Sequence, residues 1–257
     1  MPPIEFKTDV IRPIECLKEG WELIKDQYWL IFAVTLVGML IAGFVPFGIL
    51  LGPMFCGIYF CLFQKMNGQP VKFESLFKGF DYFKPAFVAS LFLIVPAVVL
   101  SLIAYIPLIV MQFAMMQNRN QNPEEVFSYM KSYFSLFTVE MLVLWLVLGS
   151  IHALIIFAFP LIVEHKLSGI EAFKLSARAA LKNLGGVVGF IAAELALGIV
   201  GYFIFCVGVY LTLPIMFAGA LVVYRRVFPS PDIRNFNISP LDIPPSPSAF
   251  QNAGRAI

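Results

Sequence analysis

The sequence predicts an all-α, polytopic membrane bundle: six transmembrane helices, with three cytoplasmic amphipathic helices in a threefold helix-plus-hairpin repeat. Composition, the placement of lysine and arginine, and a recurring apolar pattern carry this prediction. Of 257 residues, 60% are apolar and 13% charged, and the mean hydropathy is +0.84. Water-soluble domains carry about 25% charged residues, so a globule of this composition would lack a polar coat. Disorder needs the opposite bias. The net charge of +2 gives no signal for a nucleic-acid partner.

A spanning helix needs about 20 apolar residues. Such runs occupy residues 28–46, 47–63, 86–115, 136–163, 184–205 and 206–224. The turn Pro46-Phe47-Gly48 separates the first two. The last two are nearly continuous and divide near Gly201–Gly208, because one helix over both is too long for a bilayer. Ten charges precede the first run, which is unlike a signal peptide; that run is expected to remain as an anchor.

Basic residues give the orientation, since cytoplasmic segments collect lysine and arginine. Sixteen of the 18 fall in four segments: before the first span, between the second and third, between the fourth and fifth, and after the sixth. Only Arg119 and Lys131 fall elsewhere. This predicts six spans with both termini cytoplasmic.

The repeat appears when Glu15, Glu74 and Glu171 are aligned. Ile14, Phe73 and Ile170 precede them. Leu17, Leu76 and Phe173 lie two residues on, the small Gly20, Gly79 and Ser176 five on, and Trp21, Phe80 and Ala177 six on. The 3,4,3,4 spacing is one stripe of an α-helix. Each helix is expected to precede a two-span hairpin whose second span carries a proline, Pro53, Pro160 or Pro214. The repeats cover about 10–65, 70–163 and 168–226 within a membrane domain at 1–228. Residues 229–257 form a Pro/Ser-rich tail expected to be disordered. The amphipathic helices either lie along the inner leaflet or pack on the ends of the spans. Lys18, Lys25, Lys78, Lys84, Lys174 and Lys182 are the candidate contacts to anionic lipid.

Charged groups deep in a bilayer are costly and mark sites. His152 and Glu194 are the candidate intramembrane polar site. At about 1.5 Å per residue, both lie roughly 15–17 Å from the inner boundary, on spans that a cytoplasmic helix joins. Glu140 is expected at the outer interface. Gly48–Gly52 and Gly185–Gly189 have the GxxxG spacing of close helix contacts. In the outer loop, the stretch FSYMKSYF is a candidate interfacial helix. The four cysteines form no CxxC pair and read as small hydrophobes. There is no GxSxG, P-loop or HExxH motif and no His/Cys cluster, so no catalytic residue, cofactor or metal site is predicted.

The stretch FPLIVEHKLSGIEAFKLSARAALKN, residues 159–183, resembles a pattern in which a span ends in P-x-I-V-E and an EA-x-K-x-S helix follows. It occurs in uncharacterised bacterial six-helix inner-membrane proteins, and is similar to the membrane domain attached to some glycerophosphodiester phosphodiesterases. The metal-binding phosphodiesterase domain has no counterpart here, so the resemblance implies a membrane module and no activity. The function expected is a non-enzymatic module organising membrane lipids or partner membrane proteins. The alternative is a small transporter or channel with its site at His152 and Glu194.

Overall fold

The computed structural model describes residues 4–117, 122–203 and 208–229; the proposed tail, apart from its first residue, lies outside them. Every regular element among the described residues is helical. The chain runs α1 (Pro13–Ile24), α2 (Tyr28–Phe44), α3 (Leu51–Met66), a 3₁₀ segment (Phe73–Tyr82), α4 (Phe83–Gln117), α5 (Pro123–Ile155), α6 (Ala158–His165), α7 (Gly169–Lys182), α8 (Leu184–Phe203) and α9 (Gly208–Val227). Five stretches are long and apolar enough to cross a membrane: Pro13–Phe44, Phe73–Phe113, Phe127–His165, Leu184–Phe203 and Gly208–Val227. At 16 residues, α3 is shorter than these, although it lies in the second predicted run.

The division of the last apolar run falls where glycines allow it. α8 ends at Phe203 and α9 begins at Gly208. A Cβ on Gly201 would stand 2.9 Å from the Gly208 carbonyl, so the two helices meet backbone to backbone. By contrast, FSYMKSYF is no separate interfacial helix. It belongs to α5, which starts with Pro123 in its first turn, where the missing N–H costs nothing.

Three proline-bearing helices, α3, α6 and α9, form the centre. Pro53, Pro160 and Pro214 are all buried. Between these helices, Phe55 meets Phe159 at 5.2 Å and Phe217 at 5.3 Å, edge to face, and Tyr59 meets Phe217 at 5.7 Å. Such geometry suits the ring quadrupoles and fills the centre with rings.

The three surface segments close on this bundle in cyclic order. α1 packs on α8 and α9, segment 73–82 on α2 and α3, and α7 on α4 and α5. Each therefore seats on the hairpin before its own, the first on the last. The aligned small residue is a point of contact in each. A Cβ on Gly20 would lie 2.5 Å from the Gly219 nitrogen, and one on Gly79 would lie 2.0 Å from the Pro53 carbonyl oxygen. Ser176 instead accepts from the Phe157 N–H at 3.1 Å and donates to the Leu154 carbonyl at 2.6 Å. Those two backbone groups flank the interruption between α5 and α6, so one hydroxyl serves both sides of a helix break. Packing on the bundle, rather than a purely superficial position, is what these residues adopt.

The second segment departs from the expected α-helix. It is a ten-residue 3₁₀ helix, long for a form that rarely exceeds a turn or so. Three residues per turn put Phe73, Leu76, Gly79 and Tyr82 on one line. Leu76 and Gly79 are buried, whereas Phe77, Phe80 and Phe83 are exposed. Leu76 and Gly79 share one face in either helix form; three residues per turn stack them directly, and both meet the α3 backbone at Gly57.

Ser176→Ala is expected to destabilise the bundle by about 2 kcal/mol, because it strands a buried N–H and a carbonyl. A thermal melt in detergent measures this, and retention of the wild-type midpoint contradicts the role given to the hydroxyl.

Candidate functional site

The sequence-predicted pair is not formed. His152 projects from α5 and is exposed, Glu194 on α8 is half-buried, and neither makes an ion pair or hydrogen bond with the other. A shared depth does not make a pair: α5 presents its 152 position outward, whereas Glu194 lies within electrostatic range of the buried Tyr59 on α3. Glu140 is half-buried on α5, and its Oε2 has no hydrogen-bond partner.

The polar groups that do converge are at the end of the bundle where the basic residues gather. Glu164, in the last turn of α6, takes a hydrogen bond from the Tyr224 hydroxyl on one oxygen and an ion pair from Arg225 on the other. The His165 Nε2 stands 3.6 Å from the same carboxylate. The Arg225 guanidinium lies 4.9 Å over the Phe63 ring of α3, a cation–π contact. The Glu164 side chain is 12% exposed and that of Arg225 17%, so the pair is largely removed from solvent. It clamps α6 to α9 with α3 beneath.

Beside it, Arg226 holds α1 by Glu19 at 2.6 Å and Glu15 at 3.4 Å, and Lys65 of α3 pairs with Asp26. The chain before α1 is tied in too. The Asn183 amide donates to the Lys7 carbonyl at 3.0 Å and its oxygen accepts from the Asp9 N–H at 2.9 Å. The Lys7 N–H reaches the Val227 carbonyl at 2.8 Å.

α6 stops because Lys166 turns into the left-handed region, φ 53°, a common helix terminator. α7 restarts at once with a capping box. The Ser168 hydroxyl accepts from the Glu171 N–H, and the Glu171 carboxylate accepts from the Ser168 N–H and hydroxyl. These bonds from Ser168 hold the Glu171 carboxyl below its ordinary range. A depressed carboxylate stabilises the fold above its unfolded pKa, and that support fades as pH falls through the folded value. Ser168→Ala is expected to cost about 1 kcal/mol and to flatten the acid limb of a melting-temperature-against-pH profile. An unchanged profile speaks against the box.

Of the six candidate lipid-facing lysines, all are exposed, but Lys25 is engaged with Glu22. Cys16, Cys56 and Cys61 are buried free thiols. No group of metal-ligating side chains occurs among the described residues. No protein family, curated protein or solved structure matches the chain.

The sequence reading missed the Glu164–Arg225 clamp. The two residues are 61 positions apart, on helices brought together only by the bundle. The available signal was that each ends an apolar run, where a charge can be partly buried and still reach a partner.

Proposed function

We propose that the chain is a six-span, non-enzymatic module of the inner membrane, with cytoplasmic ends, that organises membrane lipids or partner membrane proteins through its three surface segments. The observation that supports this most is their cyclic seating. Three segments aligned in sequence each grip the preceding hairpin at the same small position, leaving an apolar rim of Ile14, Trp21, Phe77, Phe80, Ile170 and Leu181 exposed. A repeated rim of apolar side chains beside charges is the pattern of a surface that meets an interface. On this reading α3 is a span as well, the second in chain order. Eleven of its 16 residues are buried, so it sits where protein rather than lipid surrounds much of it.

The transporter reading is weakened by the central aromatic packing and by the separation of His152 from Glu194. Were it correct, its site would be Glu194 with Tyr59. The deciding experiment reconstitutes the purified protein in liposomes and follows lipid association and solute leakage together. Protein-dependent lipid enrichment without flux is expected. Flux abolished by Glu194→Gln reverses the assignment. Labelling single cysteines at Lys131 and Lys78 with an impermeant maleimide tests the topology: opposite sides are expected, and the same side for both refutes six spans with this orientation.

A further inference from the structure

The three surface segments look interchangeable in sequence, but their charges are not. The stretch 4–27, which contains α1, carries four basic side chains against six acidic ones. Most of these are spent internally: Arg12 on Glu15 at 3.2 Å, Lys25 on Glu22, Asp26 on Lys65, and Glu15 and Glu19 on Arg226. The first segment is thus an acidic strut that receives cations from α3 and α9.

The other two segments differ. Lys72, Lys78 and Lys84 flank segment 73–82, and Lys166, Lys174, Arg178 and Lys182 flank or belong to α7. All seven are exposed, and none of their side chains makes an ion pair or hydrogen bond among the described residues. Only Glu74, Asp81 and Glu171 oppose them, and Glu171 is occupied by Ser168.

The fold brings α7 to the start of α4, the helix that continues segment 73–82. A Cβ on Gly169, at the start of α7, would stand 2.3 Å from the Pro85 carbonyl at the start of α4. Phe173 of α7 stacks on Phe92 of α4 at 3.9 Å. α7 is therefore seated on the helix into which segment 73–82 runs. Phe77, Phe80, Phe83, Ile170 and Leu181 are exposed among the unpaired cations.

We infer that the face formed by segment 73–82, the start of α4 and α7 is the chain's docking surface for anionic phospholipid headgroups, and that α1 is excluded from it by its own acidic side chains. The inference rests on the lipid-organising reading above and narrows it to one side of the molecule. Charge complementarity selects the occupant. Cations left unpaired by the protein, next to apolar side chains at the ends of membrane helices, match phosphates above acyl chains. The candidate contacts thereby reduce from six lysines on three segments to Lys78, Lys84, Lys174 and Lys182, joined by Arg178.

The test is competition between phosphatidylglycerol and phosphatidylcholine for the purified full-length protein in mixed micelles, with bound lipids counted by native mass spectrometry. Each basic residue at an anionic surface contributes roughly a fivefold preference, so the wild type is expected to favour phosphatidylglycerol, less so as salt rises. Combining K78Q, K84Q, K174Q, R178Q and K182Q is expected to lower that preference by about tenfold or more. Combining K7Q, K18Q and K25Q is expected to leave it unchanged. The same substitutions made singly, each with an unshifted thermal melt, guard against loss of fold. Equal losses in the two sets overturn the one-sided surface while leaving lipid organisation standing. A wild type with no preference overturns both.

Discussion

Gly79→Ala is expected to abolish the native packing of segment 73–82, with a stability loss of at least about 3 kcal/mol, the upper end for overpacked sites. The added Cβ would meet the Pro53 carbonyl oxygen at 2.0 Å and the Gly57 nitrogen at 2.6 Å. Neither is the end of a flexible side chain, so relief requires moving a backbone. The reciprocal change, Gly57→Ala, meets the Leu76 carbonyl oxygen at 2.0 Å and should match it. Gly43→Ala is the control. A Cβ there meets nothing within 4 Å, and at the last turn of α2 the change is expected to leave stability unchanged or slightly raised. Thermal melts of the three variants in one detergent separate a specific close approach from general sensitivity. If Gly79→Ala melts with Gly43→Ala, the 3₁₀ segment does not seat as described.

Glu164→Ala is expected to cost about 3–5 kcal/mol, because it leaves the enclosed Arg225 guanidinium without its counter-ion and the Tyr224 hydroxyl without its acceptor. Removing Arg225 as well should recover part of the loss, since most of the penalty is an uncompensated charge rather than a missing attraction. Glu164→Gln keeps an acceptor for Tyr224 and should fall between. Arg226→Ala, whose carboxylate partners are exposed, is expected to cost about 1 kcal/mol or less. Chemical denaturation of these variants, with Arg225→Ala alone as a fifth, ranks them, and a double variant as unstable as the sum of its singles argues against the clamp.

The contrast between these two sites shows how far the sequence reading reaches. The small positions were legible as Gly20, Gly79 and Ser176, because a one-residue exception in an apolar stripe stands out against its neighbours. What each small residue touches was not. Gly20 and Gly79 admit backbone, whereas Ser176 repairs a helix break between Ile155 and Ala158 that no local residue announces. The 3,4,3,4 spacing of the second segment read as α-helix, because Phe73, Leu76, Phe80 and Phe83 fit that period as well as Phe73, Leu76, Gly79 and Tyr82 fit a period of three. The local spacing does not choose between them; the folded segment is 3₁₀, seated on α3 at Gly57.

The sequence alone determined the helical class, the apolar runs and their division near Gly201–Gly208. These follow from local quantities: hydropathy summed along a run, and glycines that let two helices meet. It could not decide which helix lies beside which. His152 and Glu194 were matched by depth, a coordinate along the helix axis that counting residues supplies. Whether two side chains at one depth face each other depends on helix rotation and neighbour order, which hundreds of weak packing contacts set together. The tertiary structure left His152 exposed and unbonded to the half-buried Glu194, and brought Glu164 to Arg225. It also placed the first surface segment on the last hairpin, where its acidic residues meet Arg226.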